Sequence, residues 1–181
     1  MNELGTRYGS SDKGKDEWYT PEIAVKSILP HIRGGCRVYC PFDTDKSEFV
    51  KAFKNGWQVH YSHIETGQDF FELEKPDADY IVSNPPFSKR DAVLTRLYEW
   101  QIPFAMVFNA NGLFDSRIRM TLAKKYGAEV LYLYPRVKYS DLEGHDATPP
   151  FQSCYWCYKV LPEKLMFSFT EERLEEQLRL F

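Results

Sequence analysis

Asp79-Tyr80-Ile81-Val82-Ser83-Asn84-Pro85-Pro86-Phe87 is the stretch on which the reading of the fold turns. Tyr80 to Ser83 is a short apolar run of the kind that fills a buried strand. It stops at two prolines, which supply no N–H to a ladder. Lys89 to Trp100 then carries Val93, Leu94, Leu97 and Tyr98 at helical spacing. A buried strand, a rigid turn and an amphipathic helix make the repeating unit of a parallel α/β sheet.

The same alternation runs upstream. Thr20-Pro21 predicts a helix start, with Thr20 as N-cap and Pro21 at the first helical position. The helix is expected over Glu22 to Ile32, with Pro30 ending it. Arg37 to Cys40 reads as a strand. Ser47 to Asn55 reads as a helix with Phe49, Val50 and Phe53 inward and Gly56 as its stop. Trp57 to Ile64 is a second strand and Glu65 to Gln68 a turn.

Downstream, Pro103 to Phe108 and Val130 to Tyr134 are strands that flank a helix over Ser116 to Tyr126, which Gly127 ends. Residues 135–151 read as a long polar loop. Gln152 to Leu161 and Leu165 to Phe169 are late strands with no helix between them. Ser168 with Glu171 is expected to cap a final amphipathic helix carrying Leu174 and Leu178. The expected fold class is α/β, a mostly parallel sheet flanked by helices, with an antiparallel late strand pair closing an edge. Residues 1–16 have little to bury and predict a disordered tail. Residues 17–181 predict a single domain.

At 181 residues the chain is long enough to bury a core without disulfides. Its net charge of −3 argues against a strongly basic, autonomous nucleic-acid binder, so any polyanion contact must be local. No apolar run is long enough to span a bilayer, so no membrane partner is expected. The four cysteines lie in β-rich runs, Cys36 with Cys40 and Cys154 with Cys157. Packing as small hydrophobes outweighs a zinc site, so the expectation is free thiols, no metal and a reducing, cytoplasmic setting. The abundant aromatic residues suit either a core or base stacking.

In an open α/β sheet, ligands bind beyond the carboxyl ends of the strands, where Asn84-Pro85-Pro86-Phe87 would sit. Two prolines fix the backbone and leave nearby carbonyls free to accept. The Asn84 side chain offers a second acceptor. Such a pair suits an amino group on an aromatic ring: gripping its hydrogens localises the lone pair and stabilises the positive charge that grows during attack. Phe87 would hold the ring by stacking. In-line placement is the remaining requirement.

Ser83-Asn84-Pro85-Pro86-Phe87 resembles the signature of adenine-N6 methyltransferases. Asp16-Glu17-Trp18-Tyr19-Thr20-Pro21 is similar to the amino-terminal cofactor motif of that family, and Cys40-Pro41-Phe42-Asp43 to its first strand-end motif. Gly67-Gln68-Asp69-Phe70-Phe71 resembles its acidic motif. The whole looks like the compact methyltransferases of phages and mobile elements, over about residues 16 to 169. The resemblance implies a compacted, Rossmann-like class I fold without a separate target-recognition domain. It also implies S-adenosylmethionine as cofactor and adenine N6 in DNA as substrate.

Residue by residue, it implies that Asn84 and the Pro85 carbonyl, with Pro86 beside them, hold the target amine while Phe87 stacks on its ring. Tyr19, Thr20 and Pro21 would line the methionine end of the cofactor, with Cys40, Phe42 and Asp43 as the floor. Asp69 and Phe70 would border its adenine. The first motif has no glycine here, and the second strand lacks the usual terminal carboxylate, so His63 or Glu65 would meet the ribose. Ser88, Lys89 and Arg90, then Arg136 and Lys138, are where phosphates would pass. The loop from Ser140 to Gln152 is the candidate for sequence reading. Two alternatives stay open: the same chemistry on RNA or another amino nitrogen, and an inactive fold that only binds nucleic acid or protein.

Overall fold

The structure, a computed structural model, describes residues 19–140, 146–147 and 149–169. The expected N-terminal tail, its boundary at residue 17, and the final helix with Leu174 and Leu178 lie outside the described residues.

Seven strands form one sheet in the order β2-β1-β3-β4-β8-β5-β9. They are β1 (Arg37–Cys40), β2 (Gln58–Tyr61), β3 (Tyr80–Ser83), β4 (Phe104–Asn109), β5 (Glu129–Tyr134), β8 (Ser153–Tyr158) and β9 (Leu165–Phe169). All run parallel except β8, which pairs antiparallel with β4 on one side and β5 on the other. The mostly parallel α/β sheet with an antiparallel late pairing is as expected from the order of elements. The location differs: the reversed strand is interior, and the edge beyond β5 is β9, which runs parallel to it. Non-local partner choice decides this, and β8 is apolar enough to be buried on both faces.

The helices are α1 (Glu22–Ile28), α2 (Glu48–Phe53), α3 (Arg90–Trp100) and α4 (Arg117–Tyr126). Alternation in the strands divides the core into two layers. Ala24, Val25 and Ile28 of α1 and Phe49, Val50 and Phe53 of α2 pack with Val38, Val82, Val107 and Tyr155 on one face. Val93, Leu94, Leu97 and Tyr98 of α3 pack with Ile81, Phe104, Met106 and Trp156 on the other. The four cysteines are free and buried. Cys154 and Cys157 point to opposite layers, as a spacing of three along a strand requires.

Local chemistry explains most boundaries. Ser47 caps α2 by accepting from Phe49 N at 3.2 Å, and Ser116 caps α4 by accepting from Ile118 N at 3.2 Å. Gly127 closes α4 at φ 85, where a side chain would be strained. Pro30 ends α1 early, and Leu29 to His31 tighten into a 3-10 turn. One expectation needs correction. Thr20 makes no capping bond; Pro21 is the N-cap, and its carbonyl accepts from Ala24 N at 3.0 Å. The expected polar loop 135–151 also contains a short hairpin, β6 (Tyr139–Ser140) with β7 (Asp146–Ala147). Val137 and Tyr139 are buried from this segment, the latter through Tyr139 Oη and Ser153 Oγ at 2.8 Å.

The β8-to-β9 connection is organised by one buried carboxylate. Glu129 accepts backbone N–H bonds from Lys159 (3.1 Å), Val160 (2.9 Å) and Leu161 (2.9 Å). Removing the acceptor strands three donors, each bound to a charged group and so worth more than an ordinary bond. Glu129→Ala is expected to cost about 3 kcal/mol, and Glu129→Gln distinctly less. Urea unfolding of the three proteins measures the order.

Candidate functional site

β1 has β2 on one side and β3 on the other, so the chain leaves it in opposite directions. Such a switch point opens a crevice beyond the carboxyl ends of the strands. A cleft of about 270 Å³ lies there. Phe42 and Asp43, following β1, form its floor. Asn84, Pro85 and Pro86, following β3, form one wall, and His63, Ile64 and Glu65, following β2, form another. Tyr19 and Thr20 reach it from ahead of α1, and Asp69, Phe70 and Phe71 close the far end.

Asp43 is the electrostatic centre. Its carboxylate is buried and accepts short hydrogen bonds from Ser47 Oγ and Ser83 Oγ. Its backbone N–H donates to Ser62 O at 3.0 Å. Ser62 Oγ in turn meets Tyr39 Oη at 2.5 Å. Burial pushes the Asp43 carboxyl up to about 6, against the two serine bonds and the nearby His63, which act the other way. His63 stands at 3.6 Å from Glu65 through Nδ1.

The far end is aromatic. Phe42 and Phe70 lie 4.8 Å apart and Phe70 meets Phe71 edge-on at 5.3 Å. Asp69 Oδ1 accepts from Phe71 N at 2.9 Å, so part of its role is to hold this turn. From α3, Arg96 lies over Phe70 at 5.9 Å and bonds Leu73 O, which ties the aromatic end to the helix after the proline turn. Lys89, just ahead of α3, lies over Phe71 at 5.1 Å and also lines the cleft.

Thr20 is 7 % exposed, and its Oγ1 has no hydrogen-bond partner among the described residues. A buried hydroxyl without a partner is costly, and this one belongs to a residue that lines the cleft. Pro21 is half-buried and does not line the cleft; it starts α1. Cys40 is fully buried in the α1–α2 layer and bonds Ser62 N through its carbonyl, so it lies beneath the floor. Phe87 is also not a lining residue. Its ring meets Phe151 at 5.9 Å, and its carbonyl accepts from Arg90 Nε at 2.9 Å. Ser88, Arg136 and Lys138 are exposed and, like Arg90, lie outside the cleft.

No protein-family profile and no curated protein matches this chain. Solved structures do. The chain is similar to the methyltransferase subunit of a type I restriction-modification system from Streptococcus thermophilus. The TM-score is 0.57 at 15 % identity, over 87 % of this chain and 48 % of that one. It is also similar to a dimethyladenosine transferase from Plasmodium falciparum, with a TM-score of 0.51 at 10 % identity over 78 % of this chain and 62 % of that one. The fold is that of the Rossmann-like class I methyltransferases. This chain spans about half the length of the first structure and under two thirds of the second.

Within this methyltransferase fold the strand-tip motifs converge: residues after β1, β2 and β3 meet in one cleft. The sequence reading did not anticipate Ser47 or Glu48 there, nor the bond from the buried Ser83 to Asp43. Asp43 and Ser47 stand four apart, the spacing of a residue just ahead of a helix cap; that signal was available. Ser83 gave none, because its partner is forty residues away.

A carboxyl with a raised folded-state pKa holds its proton more tightly when folded. Its contribution to stability is complete below the ordinary Asp value of 3.8 and is lost as pH rises through about 6. Wild type is therefore expected to lose about 1 kcal/mol between pH 5 and pH 7 that Asp43→Asn does not lose. Chemical denaturation of both proteins across that range checks it.

Proposed function

We propose that this protein transfers a methyl group from S-adenosylmethionine to the exocyclic N6 amino group of an adenine in DNA. The observation that carries this reading is the position of Asn84-Pro85-Pro86. The motif stands at the carboxyl tip of β3 and walls the same cleft as Asp43 and Thr20. The fold likeness to a restriction-modification methyltransferase subunit and to a dimethyladenosine transferase supports the same direction.

The residues present fit the cofactor. Asp43, Glu48, Glu65 and Asp69 line the cleft against a single lysine, Lys89, among the described lining residues. That balance suits a ligand bearing an ammonium and a sulfonium. Tyr19 and Thr20 would meet its methionine end, with the Thr20 hydroxyl gaining the partner it lacks; Pro21 would place them from the start of α1. Phe42 and Asp43 form the floor, over Cys40. His63 or Glu65 would take the ribose hydroxyls, and Asp69 with Phe70 would border the adenine.

When bound, the cofactor supplies an electrophilic methyl group on a positively charged sulfur. The chain's part is positioning. Asn84 Oδ1 and the Pro85 carbonyl accept from the two amino hydrogens of the target, which localises the nitrogen lone pair and aims it along the methyl–sulfur axis. Pro86 keeps the turn rigid and Phe87 stacks on the ring. A base inside a duplex is unreachable, so the target is flipped or already unpaired. Ser88, Lys89, Arg90, Arg136 and Lys138 meet phosphates beside it.

Tritiated cofactor with bacterial or phage DNA tests the reading. Wild type is expected to incorporate label, and Asn84→Ala to lose it by at least about a hundredfold. Equal incorporation by the variant overturns the role of Asn84. Nucleoside mass spectrometry after co-expression separates DNA from RNA as substrate. Calorimetry with S-adenosylhomocysteine separates both from a binding-only scaffold, which would show no heat.

A further inference from the structure

Beyond the cleft, a run of π contacts leads away from the proline turn. The Arg90 guanidinium lies 5.5 Å from the Phe87 ring and 5.7 Å from Phe108. Phe108 is 5.9 Å from Trp156, and Trp156 is 5.2 Å from Phe114. Trp156 is fully buried, whereas Phe114 is 45 % exposed. Phe87 and Phe114 are thus the two accessible ends of one connected aromatic array.

The loop that presents Phe114 is held with unusual force for a surface segment. Asp91, next to Arg90 on α3, accepts from Ser116 Oγ at 2.5 Å and pairs with Arg119 Nη1 at 2.5 Å. The buried Arg119 donates from Nε to Leu113 O at 2.8 Å and from Nη2 to Gly112 O at 3.1 Å. Gly112 sits at φ +68, and a Cβ there would lie 2.7 Å from Asp115 Oδ2. This part-buried pair fixes the backbone on the residues just before a ring that stays 45 % exposed.

We infer that Phe114 is a second nucleobase platform, and that the protein takes its polynucleotide as a single strand. The inference rests on the methyl-transfer reading for the assignment of the target base to Phe87. A rigid ring with an open face stacks a base at little entropic cost. In a duplex the bases are stacked on one another and offer no face to Phe114; a single strand offers one at every nucleotide. Arg117, exposed at the start of α4 three residues on, is placed to meet one phosphate of the stacked nucleotide.

Fluorescence anisotropy with labelled single-stranded DNA, single-stranded RNA and the corresponding DNA duplex tests this on the full chain. Phe114→Leu keeps an apolar cover over Trp156, and thermal melting verifies that it folds. It is expected to weaken single-strand binding about tenfold, while Phe114→Trp binds as wild type and the duplex binds weakly throughout. Affinity for S-adenosylhomocysteine is expected to be the same in all three proteins. Equal single-strand binding by Phe114→Leu, or a preference for duplex, overturns the inference; Phe114 with the exposed Ile118 and Met120 is then a protein-docking face. The DNA and RNA arms identify the sugar. Tritium transfer run in parallel separates the two readings. Phe114-dependent binding without transfer sinks the methylation reading alone, and transfer without that dependence sinks the platform alone.

Discussion

A carboxylate buried among strand ends is the constraint on which the site depends. Left without partners, Asp43 would cost several kcal/mol. It is answered from two directions, by the residue that caps α2 and by the last residue of β3. Its own amide bonds the chain just after β2. One residue, through its side chain and its amide, therefore sets the relative positions of β1, β2, β3 and α2. Asn84 begins where Ser83 is locked, so the geometry of the proline turn follows from this network rather than from the turn alone.

The same network accounts for the glycine-free first motif. A glycine-rich turn lets backbone approach a ligand closely. Here side chains shape the floor instead: Phe42 leans on Phe70, and Asp43 is braced by serines. Such a floor is stiffer than a glycine loop, because its atoms are packed or bonded on the side away from the cleft. It also places at the floor of the cleft a carboxyl that burial pushes up to about 6.

Much of this was legible in the sequence, because much of it is local. α2 and α4 follow from apolar spacing plus a serine cap and a closing glycine within a few residues, and α3 from its apolar spacing alone. β1 and β3 follow from apolar runs that end at prolines. What could not be read depends on partners far along the chain. Thr20-Pro21 looks like a capped helix start, yet Thr20 is buried beside the cleft and the cap falls to Pro21. The hairpin inside the expected polar loop is pinned by Tyr139 reaching Ser153 of β8, a contact that hydropathy does not encode. At the site, Asn84 and Asp43 carry the signal of a motif. The serines that answer Asp43, and the Asp91–Arg119 pair that braces the loop before α4, do not.

The interior position of β8 has a consequence for how the molecule is made. β5 has no sheet neighbour until residues 153–158 arrive to bridge it to β4. During synthesis the chain can complete the half-sheet carrying the cleft while β4 still presents a bare hydrogen-bonding edge. That edge is an adhesive surface towards other nascent chains, and only the reversed strand retires it. Assembly of the crevice and covering of the β4 edge are therefore separated in time, with the edge covered second.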